Sequence, residues 1–408
     1  MTDLFWPGDE RAGDLLSGAA LLTAMVAVED AWLGALVDAG VAPATARQPV
    51  GSLVGPPDLE AVARDAETDG NPVPGLVALL RERLGEGDPA RWLHRGLTSQ
   101  DVLDTALVLA VRDAVDRVSE ELRAQTGTLA ALTGTYRDAA MVGRTLTQHA
   151  VPVTFGLKAA TWLTGVVEAA VSLRAARGRL AVQVGGAAGT LAAATELARL
   201  QGLADPAAVT VDLVASTAAT LDLPARTPWH TSRGPVTAVG DALVTCTDAW
   251  GRLAADVATL SRPELGELAE GRAGGSSTMP HKQNPVLSVL VRRAALTTPQ
   301  LAATLHLAAA TVVDERPDGA WHAEWATLRD LARRSVVAGG QTTDLLAGLR
   351  VDTGRMRATL EAADGTDAEQ HSMVELAGGE PAGDYRGATD LVIEETLSRA
   401  QAYLQELA

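Results

Sequence analysis

The sequence predicts an all-α protein: three helical domains, the central one a long helical bundle. Three observations carry this. Val239, Leu243, Cys246, Trp250, Leu253, Val257 and Leu260 follow steps of 4, 3, 4, 3, 4 and 3, the apolar spacing of a helix in a long bundle. Leu103, Leu107, Ala110, Val111, Ala114 and Val118 repeat that pattern less strictly. β-Branched runs that alternate with polar residues between turns are missing, so no substantial sheet is expected.

Residues 1–92 read as short helices broken by stretches such as "VGPPD" and "GNPVPG", and form the first domain. Residues 93–341 carry the long helices, near 101–118, 156–182, 235–263, 285–313 and 323–347. Pro235 opens the clearest of them and Pro263 closes it. Residues 342–408 form a shorter helical tail containing "GGEPAGDYRG". A helix of about 25 residues spans roughly 38 Å, long for a monomeric core. The apolar stripes are therefore expected to continue into a homo-oligomeric bundle.

Composition narrows the function. The 408 residues carry a net charge of −17, which argues against general nucleic-acid binding. An anionic substrate would need a local cluster of cations to overcome that field. The longest apolar stretches are broken by charged residues before the roughly 20 positions a membrane span needs, and the N-terminus lacks the pattern of a signal peptide. The single cysteine, Cys246, excludes an intramolecular disulfide and a cysteine-based metal site; a cytoplasmic location is the expectation. Of 34 basic residues only Lys158 and Lys282 are lysine, and the only asparagines are Asn71 and Asn284.

Four polar islands interrupt the helices. In "LHRGLTSQDVLDT" (93–105), Thr98 and Ser99 precede an apolar helix, where they can cap it or bind an anion. "GRTLTQHAVPVTFG" (143–156) places Gln148 beside His149, an acid/base candidate that could equally be structural. "PWHTSRGP" (228–235) groups Trp229, His230 and Arg233, either to hold a planar carboxylate or as staple and solvated charge. "GGSSTMPHKQNP" (274–285) combines two glycines with Ser276 and Ser277, then brings Lys282 and Asn284 to the start of a helix after Pro285. Positive potential gathers at such a start.

The last stretch resembles the signature of the fumarase/aspartase superfamily, Gly-Ser-Ser-x-x-Pro-x-Lys-x-Asn-Pro. "TSQDVLDT", "GRTLTQHAVPVTFG" and "GGAAGT" (185–190) look like its other blocks in the same order, over roughly residues 1–350. The resemblance implies three helical domains and a homotetramer whose active sites are shared between subunits. It implies elimination or addition next to a carboxylate, with neither metal nor organic cofactor. It further implies that Ser276 moves the α-proton, with Ser277 beside it. Lys282 and Asn284 hold a substrate carboxylate; Thr98, Ser99 and Gln148 add contacts. His149 matches a second histidine of some members, a candidate catalytic relay.

One departure stands out. Many members carry a histidine after "GRT" that assists the departing group; this chain has Leu146. Fumarate-releasing members that depend on it, such as adenylosuccinate lyase, become the alternative. "PWHTSR", "NPVLSVLVRRAA" and "ERPDGAWHAEW" (315–325) look most like the bacterial 3-carboxy-cis,cis-muconate cycloisomerases. The implied substrate is a small tricarboxylate. Its three charges call for cations, with His230, Arg233, Arg292 and Arg316 as candidates beside Lys282.

Overall fold

The computed structural model describes residues 3–271, 274–275, 279 and 282–406. Among these the chain is helical: α1 (Gly18–Asp38), α2 (Leu59–Asp69), α3 (Val73–Leu84), α4 (Asp88–Trp92), α5 (Ser99–Thr135), α6 (Phe155–Arg177), α7 (Ala192–Leu200), α8 (Pro206–Thr220), α9 (Gly234–Leu260), α10 (Val286–Ala310), α11 (Gly319–Ala347), α12 (Thr353–Glu361), α13 (Ala368–Ala377) and α14 (Thr389–Gln405). Two small antiparallel ribbons complete it, β1 (Ala140–Thr145) with β2 (Gln148–Thr154), and β3 (Leu268–Ala269) with β4 (Arg350–Val351). The all-α expectation holds, and each predicted long helix is present; the ends lie within about five residues of those expected, except that α5, expected near 101–118, runs on to Thr135.

The chain packs as two compact units: Met1–Asp116 with Ala175–Asp241 and Gln300–Arg333, and Arg117–Arg174 with Ala242–Pro299 and Arg334–Ala408. The helices α5, α6, α9, α10 and α11 each give residues to both.

The stripe on α9 is buried along its whole length, Val239 to Leu260. It therefore packs inside this chain rather than offering itself to another copy. A different face is exposed on α10, where Val286, Val289 and Leu296 lie on one side of the helix.

In the first unit, α1 packs on α8 and carries buried Trp32 and Leu36. By length and composition α1 could span a bilayer, but 56% of its most apolar window is buried. Its Glu29 meets His94, and its Asp30 accepts the Val50 N–H at 2.8 Å. It is thus packed as a core helix.

In the second unit a buried polar ladder ties α9, α5 and α11 together. Trp250 Nε1 donates to Gln125 Oε1 at 2.7 Å, and Gln125 Nε2 donates to the Gly339 carbonyl at 3.0 Å. Thr247 and Thr298 hydroxyls meet at 2.7 Å between α9 and α10, one residue before Pro299 inside α10.

Candidate functional site

In the first unit four of the motif stretches converge; Asp101 ties three of them and Arg316 brings in the fourth. Its carboxylate accepts the N–H groups of Thr98 at 3.0 Å, Gly185 at 2.8 Å and Gly186 at 3.0 Å, and Gln183 Nε2 at 3.2 Å. Gln183 in turn accepts the Trp229 N–H at 2.7 Å. One buried side chain thus fixes the helix start at Thr98–Ser99, the "GGAAGT" turn and the "PWHTSR" island. Its burial pushes the carboxyl up to about 6, against four donors that favour the ionised form.

The same face holds Arg316, whose Nη1 donates to Thr98 Oγ1 at 2.9 Å. Arg316 is exposed and its guanidinium stands 6.0 Å from the Trp321 ring. It retains donors for an anion. Ser99 opens α5 and is half-buried.

His230 rests against Gly189, which has φ +78°; a Cβ there would come within 2.3 Å of His230 Cε1, so only glycine fits. The His230 carbonyl accepts Gln100 Nε2 at 2.8 Å. Burial, helped by Arg233, holds the imidazole below its usual range against the pull of Asp104 and Glu315. At neutral pH His230 is therefore a neutral hydrogen-bonding group, not the cation that a count of substrate charges invited.

Arg233 is turned inward. It is 3% exposed, with Asp104 at 2.7 and 3.0 Å and Glu324 at 3.0 Å, and its guanidinium stacks 4.9 Å from the Trp229 ring. Trp321 Nε1 adds a 2.9 Å bond to Asp104. Burial works against the charge, yet the two carboxylates more than reverse it and hold Arg233 above its ordinary value. The guanidinium is filled by this chain's own carboxylates; it braces the island from beneath.

Sequence reasoning passed over one pair here. Buried Glu29 meets His94 Nδ1 at 2.6 Å, four residues before Thr98, and His94 has φ +64°. Trp32 Nε1 and Arg81 Nη2 hold the neighbouring carbonyls of Arg95 and Leu93 at 2.7 and 2.8 Å. Non-glycine residues enter this backbone region at a cost. The positive φ could not be read from the residue type, and Glu29 lies 65 positions away in sequence.

The second unit holds the other two islands. "GRTLTQHAVPVTFG" forms the β1–β2 hairpin, with Thr145 opposite Gln148 and Arg144 opposite His149. Leu146 and Thr147 make its two-residue tip at φ +48° and +71°, and Leu146 is 96% exposed. Gln148 and His149 are exposed beside it, and the Arg144 guanidinium grips buried Glu267 at 2.6 and 3.0 Å.

The signature stretch is closed at its ends. Gly274 N–H donates to the Asn284 carbonyl, and Asn284 N–H to the Gly274 carbonyl, each at 3.0 Å. A Cβ on Gly274 would come within 2.2 Å of Val286 Cγ2, so the closure requires glycine. Asn284 Nδ2 reaches back to the Gly275 carbonyl at 3.4 Å, while Lys282 is exposed. Ser276 and Ser277 lie outside the described residues. Arg292, on α10, is exposed.

The expected positive potential at the start of α10 is already answered. Glu270 accepts the N–H groups of Leu287 at 3.1 Å and Ser288 at 2.8 Å, and the Ser288 hydroxyl at 2.7 Å. A carboxylate of the chain itself caps this helix, so Lys282 is left as the cation of the stretch.

A family model described as lyase matches residues 57–297. A nitrosuccinate lyase of Streptomyces davaonensis is 44% identical over 358 residues, covering 86% of this chain and 74% of that protein. A 3-carboxy-cis,cis-muconate cycloisomerase of Bradyrhizobium diazoefficiens is 39% identical over 371 residues, covering 86% of this chain and 79% of that protein. Among solved structures, the 3-carboxy-cis,cis-muconate lactonizing enzyme of Pseudomonas putida superposes with a TM-score of 0.81 at 29% identity, covering 96% of both chains. The fumarate lyase of Mesorhizobium sp. BNC1 gives 0.80 at 28% identity, covering 98% of this chain and 89% of that one. The chain belongs to the lyase family of the fumarase/aspartase superfamily.

Proposed function

We propose that the protein is a cofactor-independent cycloisomerase that interconverts 3-carboxy-cis,cis-muconate and 4-carboxymuconolactone. Against the amine-releasing lyases, the observation that carries this reading is Leu146. At the position where many members offer a proton to the departing group, this chain presents an exposed leucine on a hairpin tip. A substrate whose leaving group is a carboxylate departs without that proton, because the anion is stable in water at neutral pH.

In the lactone-opening direction Ser276 takes the proton α to a carboxylate. The electron pair moves onto that carboxylate to give the doubly charged aci form, and then forms the double bond as the ring C–O bond breaks. The ring oxygen leaves as part of the third carboxylate. In the closing direction a substrate carboxylate oxygen adds to the double bond, and Ser276 returns the proton to the neighbouring carbon. Lys282 and Arg316 supply charge to the aci-carboxylate, and Thr98, Ser99, Gln148 and neutral His230 supply hydrogen bonds. His149 relays the proton between Ser276 and solvent. Ser277 lies beside the base, and Asn284 keeps the loop ends paired. The exposed apolar face of α10 supports assembly into a cytoplasmic homotetramer of three-domain subunits, 1–92, 93–341 and 342–408, with active sites completed by neighbouring subunits.

A second reading has its own support in the 44% identity to a nitrosuccinate lyase. Elimination from such a substrate uses the same α-proton abstraction and expels nitrite, another weakly basic anion that asks nothing of residue 146. Adenylosuccinate lyase-like chemistry is disfavoured, since an amine must be protonated as it leaves.

One pair of assays decides. With purified protein, 3-carboxymuconate should lose its diene absorbance, and nitrosuccinate should release no nitrite. Nitrite release with an unchanged diene would replace the first reading by the second. Activity with adenylosuccinate alone would sink both.

A further inference from the structure

A cavity of about 510 Å³ opens in the first unit on the outer side of the Trp229 loop. Arg179 and Arg226 line it together with the hydroxyl residues Thr227 and Ser232, and Trp229 and Pro235 form its apolar wall. Its lining contains no aspartate or glutamate, although the chain carries 51 of them.

Several guanidiniums of the unit are paired, as Arg177 is with Asp116, Arg199 with Glu196 and Arg233 with Asp104 and Glu324. The side chains of Arg179 and Arg226 have no hydrogen-bond or ion-pair partner among the described residues, and both are exposed. Both guanidiniums line one acid-free cavity with their planar donors unused, and an anion seated there can accept from them.

The cavity is also pre-formed. The segments bearing Arg179 and Arg226 are joined by the Val182 N–H donating to the Pro224 carbonyl at 3.1 Å. Trp229 is fixed at both ends, through its N–H to Gln183 at 2.7 Å and its Nε1 to the Val182 carbonyl at 3.0 Å. Ligand sites of about 300–1,000 Å³ suit small organic molecules, so a dozen-atom polycarboxylate fits and a lone halide does not fill the space.

We propose that this cavity binds a small di- or tricarboxylate anion through Arg179 and Arg226. The anion bridges both guanidiniums, takes hydrogen bonds from the Thr227 and Ser232 hydroxyls, and lays its carbon skeleton on Trp229 and Pro235. Such a ligand has two sources, the reactant of the proposed cycloisomerase itself or a separate metabolite carboxylate.

Citrate titrated calorimetrically into the full-length protein tests this, using wild type, the Arg179→Gln/Arg226→Gln pair and the Arg179→Lys/Arg226→Lys pair. Wild type should bind citrate saturably. The glutamine pair should weaken it at least tenfold, about 1.4 kcal/mol, with unchanged circular dichroism, and the lysine pair should recover most of the loss. Absence of saturable binding into the millimolar range, equal affinity in the glutamine pair, or tighter binding of inorganic phosphate than of citrate would each overturn the proposal. Kinetics separates the sources. If the reactant is the ligand, KM rises at least tenfold in the glutamine pair and citrate competes with it. If a separate carboxylate is the ligand, KM is unchanged while citrate binding is lost. The calorimetry needs no turnover, so failure of the cycloisomerase assignment leaves this test intact.

Discussion

Arg233 shows how a residue's neighbours in sequence and its partners in the fold can suggest different parts for it. Its place between Trp229 and α9 suggested a substrate cation, yet Asp104 and Glu324 enclose it. Their chain separations of 129 and 91 residues hide the partnership from a linear reading. Arg233→Ala would leave two buried carboxylates uncompensated and should lower unfolding stability by about 3–5 kcal/mol, measured by denaturant titration. Asp101 makes a pH-dependent prediction. Its folded carboxyl titrates at about 6 against an ordinary 3.8, so across that window the folded chain keeps a proton that the unfolded chain has lost. Stability from this group is complete below about pH 4 and falls as pH rises through about 6, by on the order of 3 kcal/mol in total. Asp101→Asn should flatten that slope in unfolding curves taken from about pH 4 to 7, and a slope unchanged in the variant would refute the assignment. Ser276→Ala should abolish turnover while leaving the circular dichroism spectrum and thermal midpoint in place; retained activity would remove Ser276 from the mechanism.

At the scale of elements, the helices were legible because burial imposes a period. Every residue of the α9 stripe is buried, and the boundaries at Pro235 and Pro263 fall within a few positions of the helix ends. The β1–β2 hairpin was not legible. Its turn residues, Leu146 and Thr147, are not those that a tight hairpin favours, and both hold positive φ at a cost of roughly 1–2 kcal/mol each. Replacing them with Asn-Gly should therefore stabilise the protein by about 1–2 kcal/mol in denaturant unfolding. The helix pair α9 and α10 gives the opposite lesson. Gly251 to Ala ordinarily strengthens a helix by about 1 kcal/mol. Here the new Cβ would stand 2.4 Å from Ala295 Cβ, so Gly251→Ala should lose about 1–3 kcal/mol instead. The cap on α10 was equally hidden, since Glu270 precedes the helix by a whole loop and its reach to Leu287 and Ser288 depends on how that loop returns.

For the whole molecule, the sequence islands sort into two groups once folded. Those at 93–105, 185–190, 228–235 and 315–325 build one face of the first unit, tied through Asp101 and Arg316. The hairpin and the signature stretch belong to the second unit. A linear reading could order these blocks but not assign them to faces, because the grouping rests on hydrogen bonds between residues tens to hundreds of positions apart. The assembly proposed above predicts that Leu296→Glu, on the exposed face of α10, shifts the mass seen by light scattering to a smaller species and lowers activity in parallel. A mass unchanged from wild type would move the subunit contact to another surface.

The reciprocal pair between Gly274 and Asn284 has a consequence for how such a scaffold diversifies. With both ends stapled to each other, and the following helix held separately by Glu270, the intervening nine positions form a cassette. Its contents can be exchanged for those of a relative while the splice points keep their geometry. The scaffold can thus vary this short insert while its long helices and the Glu270 cap stay untouched.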